Sequence, residues 1–236
     1  MKNYYIKRME TNSMTDMNNK KNVMKKIEVV FDISYLLTIF ISASILFRTT
    51  EIGSIRCLFA IMAFILGLGD SFHLIPRICS MLDRKQRNYS VSLGAGKFVA
   101  SISMTIFYLF LWEIGLNYYN FTVSSITNIV IYGLAVLRIV ACALPYNKWT
   151  DEEGSFHWGI IRNIPFTALG MMVMVIYMKG AIVTEGHLSF MWLVIFLSFL
   201  FYLPVVILSK RYPKIGMLML PKSCAYVAIV LMGFTI

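Results

Sequence analysis

The sequence predicts an all-α integral membrane bundle of seven transmembrane helices, and three observations carry that reading. The 236 residues are 58% hydrophobic and only 14% charged, with a mean hydropathy of +0.69, which leaves too little polar surface for a soluble globule of this size. Apolar stretches long enough to cross about 30 Å of hydrocarbon at 1.5 Å per residue recur along the chain, which points to helices rather than a barrel. Lys and Arg collect in alternate joints between those stretches, as they do around membrane spans.

The spans fall at about 29–47, 57–77, 93–112, 126–145, 158–178, 188–208 and 215–235, judged by apolar length and by flanking polar residues. The first follows a basic stretch rich in Asn, Thr, Met and Ser, which divides the chain into a disordered basic tail, 1–27, and a transmembrane domain, 28–236. That tail has no apolar core, so no cleavable signal peptide is expected and the first span is its own targeting signal. The second span ends in Gly67-Leu-Gly-Asp70-Ser-Phe-His73-Leu-Ile-Pro76-Arg77, and the third opens on Gly94-Ala-Gly96-Lys-Phe98. The fourth carries Arg138 two turns before Pro145, and the fifth opens on Trp158-Gly-Ile-Ile-Arg162-Asn163-Ile-Pro165. The sixth is the apolar run closing at Pro204, and the seventh starts with Leu-Met-Leu-Pro221-Lys222. The joints are too short to separate further domains.

Orientation follows from the basic joints. The tail, Arg77 to Arg87 and Lys210 to Lys214 share one side, whereas the opposite loops carry little beyond Arg48, Arg56 and Lys179. The positive-inside rule therefore places the N-terminus in the cytosol and the C-terminus outside. Trp112 and Trp192 are expected at the outer interface, with Trp149 and Trp158 at the inner one, as an aromatic belt. The net charge of +10 is then mostly topological, and no soluble basic stripe with base-reading elements suggests nucleic-acid binding. Cys57, Cys79, Cys142 and Cys224 form no CxxC pair and read as thiols packed among helices.

Charges inside the spans are where chemistry is expected, because each costs roughly 2.5 to 3.5 kcal/mol at a helix centre. Asp70, His73 and Arg77 are spaced i, i+3, i+7 and form one polar stripe, with Asp70 about 10 Å below the basic surface. Arg138, Arg162 and Lys222 reach a similar depth from three other spans, while Asp32 and Lys97 lie near enough to join. Pro76, Pro145, Pro165, Pro204 and Pro221 also fall in that half, where carbonyls freed by proline need protein or water as partners. Asp70 is expected to pair with one of the cations, since an unpaired buried carboxylate is costly. Cations outnumber carboxylates in this layer, so an anionic ligand would restore the balance. Arg77, Arg138, Arg162, Asn163 and Lys222 are the candidate ligand-binding residues, and Asp70 with His73 the candidate catalytic pair. His73 and His157 make a thin metal set with Asp70, and His187 lies too far away, so no metal or other cofactor is assigned. HExxH, GxSxG, Walker and Rossmann motifs are absent. Lys222 in the last span brings retinal proteins to mind, but the third span has no deep carboxylate to act as counterion.

The Gly69-Asp70 pair late in the second span, followed by the Gly-rich start and aromatic end of the third (Phe107-Tyr108), resembles the lysoplasmalogenase-like membrane hydrolases. Those are multi-helix bundles that cleave the vinyl ether of lysoplasmalogens, and the resemblance implies that Asp70 acts as acid or base. The chain departs from that pattern in a later span, where Ser223 is followed by Cys224 rather than by aspartate. Ceramidase and adiponectin-receptor-like zinc hydrolases fit less well, because their HxxxH near the C-terminus is missing.

The expected function is that of a polytopic membrane protein with a cytosol-facing cationic cavity for an anionic amphiphile or small metabolite. The alternatives are a lysolipid hydrolase using Asp70 and a small-molecule transporter. Transport needs outward access, whereas the outer halves of the spans are almost uniformly apolar. The expected partners are membrane lipids and that anionic ligand. The expected location is the cell membrane, of the bacterial cytoplasmic kind.

Overall fold

The computed structural model describes residues 2–83, 85, 87–151, 154–184 and 186–236, with side chains from Val23 onward. Its helices are α1 (Lys2–Arg48), α2 (Ile55–Leu82), α3 (Ser90–Tyr119), α4 (Ser125–Ala143), α5 (Phe156–Val183), α6 (Met191–Leu208) and α7 (Met219–Met232), and no strand occurs among the described residues. All seven are long and apolar enough to cross a membrane, with α1 counted from Val23 and the last span from Pro213. Side chains are described only from Val23, so most of the segment 1–27, read from the sequence as a disordered tail, is described only through the backbone of α1. Its last residues, 23–27, belong to the first turns of the crossing part of α1.

Serine hydroxyls start three of these helices. Ser54, Ser124 and Ser155 each accept a backbone N–H from the first turn of α2, α4 and α5, satisfying one of the donors that a helix start leaves open. Asn120 closes α3 in the left-handed region at φ 51°, where asparagine is tolerated better than most residues. Pro76, Pro165 and Pro204 lie inside α2, α5 and α6. Pro145 instead opens a 3-10 turn, and Pro221 sits in the first turn of α7, where its missing N–H costs no helix bond. The regular helical pattern is thus interrupted by prolines inside three helices and by 3-10 turns at Pro145 and Pro213.

The helices close into a ring. Successive neighbours from α1 to α7 pack on one another, α7 returns to α1, and α3 also packs on α5. The α2–α3 contact rests on small residues: a Cβ at Gly96 would collide with the backbone of Phe72 and His73, and one at Gly69 with the Ser103 side chain. Much of the Gly-rich start of α3 is therefore explained by helix approach. Gly94 likewise lies against the backbone of Trp149 and Thr150.

The middle of the bundle is closed by aromatic rings. Tyr108 contacts Phe166 at 5.2 Å and Phe199 at 5.5 Å, and Phe107 contacts Tyr226 at 5.6 Å. The Tyr108 hydroxyl meets Ser198 Oγ at 3.1 Å, and the Tyr177 hydroxyl donates to the Leu111 carbonyl at 2.9 Å. Burying these hydroxyls without such partners would cost about 1–3 kcal/mol each. Two sequence expectations change here. Trp112 is 1% exposed and belongs to this core rather than to a lipid-facing belt, because its position on α3, a helix packed against α2, α4 and α5, turns it inward. Only Cys142 of the four free cysteines is buried, whereas Cys79 and Cys224 are exposed, because their helix faces point away from the bundle.

Candidate functional site

Helix ends from α2 to α7 enclose a cavity of about 700 Å³ at the end of the bundle that holds the joints α2–α3, α4–α5 and α6–α7. Asp70 and His73 line it from α2, Lys97 from α3, Arg138 from α4, Arg162 and Asn163 from α5, and Lys222 from α7. Arg77 is absent from the lining. It turns toward α1, where it bonds Glu28 at 3.0 Å and approaches Asp32 at 3.9 Å. The cause is the stripe of α1, whose carboxylates at positions 28 and 32 face the lower part of the α2 stripe.

The expected pairing of Asp70 with a cation is corrected in the same way. Asp70 Oδ2 accepts a 2.5 Å hydrogen bond from the Tyr35 hydroxyl, and among the described residues it has no ion pair within 4 Å. Glu28, Asp32 and Tyr35 recur at i, i+4 and i+7 on α1 and meet Arg77 and Asp70 in antiparallel order, so Tyr35 is the group that reaches Asp70. Its signal in the sequence was that spacing. His73 Nδ1 and Asp32 Oδ2 are buried without a hydrogen-bond partner.

The cations are held by aromatic faces. Lys222 Nζ lies 4.3 Å from the centroid of Tyr202 and 5.1 Å from that of Tyr226. The Arg162 guanidinium stacks 4.0 Å above Trp149, and that of Arg138 lies 4.9 Å from Phe166. Such contacts contribute about 0.5–2 kcal/mol each, and they fix position without neutralising charge. Arg138 is 2% exposed, donates through Nη1 to the Arg162 carbonyl, and leaves Nε buried with no partner. None of these three cations has a carboxylate within ion-pair distance among the described residues.

Asn147 and Trp149, which sequence reasoning did not place in the site, and Asn163, which it did, build the rest of the wall. Asn147, 1% exposed, donates through Nδ2 to the carbonyls of Ala141, Cys142 and Leu144, closing the end of α4, while its Oδ1 accepts from Arg162 Nη1 at 2.8 Å. Trp149 donates to the Cys142 carbonyl at 2.9 Å, which sets its ring under Arg162. Asn163 donates to the Gly159 carbonyl and accepts from the Tyr202 hydroxyl, both at 2.7 Å. Lys148, Asp151 and Lys210 also line the cavity. His157 is exposed at the start of α5 and is not part of the lining. Among the described residues, no three His, Cys, Asp or Glu side chains cluster as metal ligands would.

Fold and site together define a polytopic membrane protein with a seven-helix bundle and a cation-rich polar cavity at one end. The chain matches no protein-family model, no curated protein and no solved structure.

Proposed function

We propose that the cavity binds an anionic amphiphile or small anionic metabolite entered from the cytosolic side. The observation that supports this most directly is Arg138: a buried guanidinium seated on Phe166, without a carboxylate, with one donor unmet inside a cavity wall. A buried cation without a partner is strongly unfavourable, and a carboxylate, phosphate or sulfonate group is the natural complement of the guanidinium fork. Lys222, Arg162 and Lys97 add charge in the same space. The aromatic layer of Tyr108, Phe166 and Phe199 beneath the cavity favours a one-sided site over a transport path. The cytosolic assignment rests on the basic joints at the cavity end, and it predicts that single cysteines placed at positions 85 and 120 label from opposite sides of the membrane. Labelling from one side would refute it.

The binding reading is tested with purified protein in an uncharged detergent, titrated with decanesulfonate, inorganic phosphate and uncharged decanol. Saturable binding of decanesulfonate without decanol binding supports an anionic amphiphile. Phosphate binding alone supports a small metabolite, and no binding of either anion overturns the proposal.

The hydrolytic alternative is supported by the placement of Asp70 and His73 together on the cavity wall. It predicts that lysoplasmalogen is cleaved by the wild type and not by Asp70→Asn. Absence of aldehyde release by the wild-type protein from any lysolipid would remove it.

A further inference from the structure

We infer that anion binding in this cavity is coupled to the uptake of one proton by Asp70. This deepens the proposed binding function and rests on it. Asp70 shares the cavity with the cations that an anion would occupy, yet it is closed onto none of them. Its one described hydrogen bond comes from Tyr35, leaving Oδ1 for a proton.

The groups around Asp70 decide the direction. From α1 come the Tyr35 hydroxyl, which donates to the carboxylate, and the buried carboxyl of Asp32 one turn away. On α2 itself lies His73, with Nδ1 unpartnered. Lys97, Arg138 and Arg162 line the same cavity, Tyr202 joins them from α6, and α7 supplies Lys222 and Tyr226. Without ligand, Lys222 is the cation that offsets the negative charge of Asp70 through space. An anion that binds Lys222 takes that charge for itself and leaves the buried Asp70 carboxylate without a counter-charge. Two negative groups competing for one cation in a buried site do not both remain charged, and the one able to take a proton does so. A sulfonate stays ionised, so Asp70 is that group. The step is H⁺ from solvent joining the Asp70 carboxylate to give the carboxylic acid. No bond in the ligand changes, and the new O–H can donate to the anion.

The test is calorimetric titration of the full-length protein with decanesulfonate, whose charge is constant from about pH 5 to pH 8, in two buffers of different ionisation enthalpy. The expected result is uptake approaching one proton per ligand, with Kd rising by up to about tenfold for each pH unit as pH increases. In Asp70→Asn, binding becomes independent of pH and the proton uptake disappears. In Tyr35→Phe, loss of the donor that favours the carboxylate moves the uptake to higher pH, and this variant serves if Asp70→Asn fails to fold. Binding of decanesulfonate with no pH dependence overturns the inference while leaving the binding function standing. Uptake that survives Asp70→Asn and vanishes in His73→Gln also overturns it. No binding at any pH defeats the binding function itself, and the coupling with it.

Discussion

Arg138→Met is expected to weaken decanesulfonate binding by about thirtyfold or more while leaving the bundle at least as stable as the wild type. The guanidinium is buried, lies over Phe166 and carries an unmet Nε donor. Replacing a buried, poorly paired charge with an apolar side chain of similar length is commonly neutral or stabilising. The single Nη1 bond to the Arg162 carbonyl is lost, at a cost of about 1.5–3 kcal/mol, and removal of the uncompensated charge offsets it. Losing a charge-assisted contact in a desolvated site removes about 2–5 kcal/mol from the ligand, a drop of roughly thirtyfold to several thousandfold in affinity. Calorimetry and a thermal melt on the same sample separate the two effects. A variant that melts well below the wild type, yet binds decanesulfonate normally, would show that Arg138 is a structural strut and not a ligand-binding group.

Gly96→Val is expected to be the most damaging single substitution in the helical framework. The added side chain would meet the backbone of Phe72 and His73 rather than a movable side-chain tip, so α2 and α3 must separate at the level of Asp70 and His73. Overpacking against yielding neighbours costs about 1–3 kcal/mol, and two backbones cannot yield, so a loss above about 4 kcal/mol is expected. Gly133→Val is the control, because nothing lies within 4 Å of a Cβ there, and a change within about 0.5 kcal/mol is expected. Monodispersity on size exclusion and the thermal midpoint report both. If Gly96→Val behaves like Gly133→Val, the close approach of α2 and α3 is not required for the fold.

How much was legible in advance differs between framework and site. Helix α3 shows the limit. Its apolar length marked it as a span, but α3 carries apolar residues on all sides, so periodicity could not say that Trp112 faces the core. Asp70, Arg138, Arg162 and Lys222 could be assigned to one depth because helix rise converts residue number into distance below the surface. Depth alone does not give the angle around the bundle axis. Arg77 shares the α2 stripe with Asp70, yet the α1 carboxylates at Glu28 and Asp32 draw it out of the cavity. The partners of the cations were equally invisible, since the sequence suggests charge pairing, whereas the packed rings of Phe166, Trp149, Tyr202 and Tyr226 hold them. Asn147, which ties the end of α4 to Arg162, carried no signal in the sequence.

The sequence by itself therefore determined the class, the seven crossings and the layer in which polar residues collect, because each follows from local composition and from the length of hydrocarbon to be crossed. The tertiary structure alone decided which of those polar residues meet. That choice depends on how neighbouring helices rotate to bring Gly96 against Phe72 and Tyr35 against Asp70, and such rotation is set by side-chain packing between segments far apart in the chain.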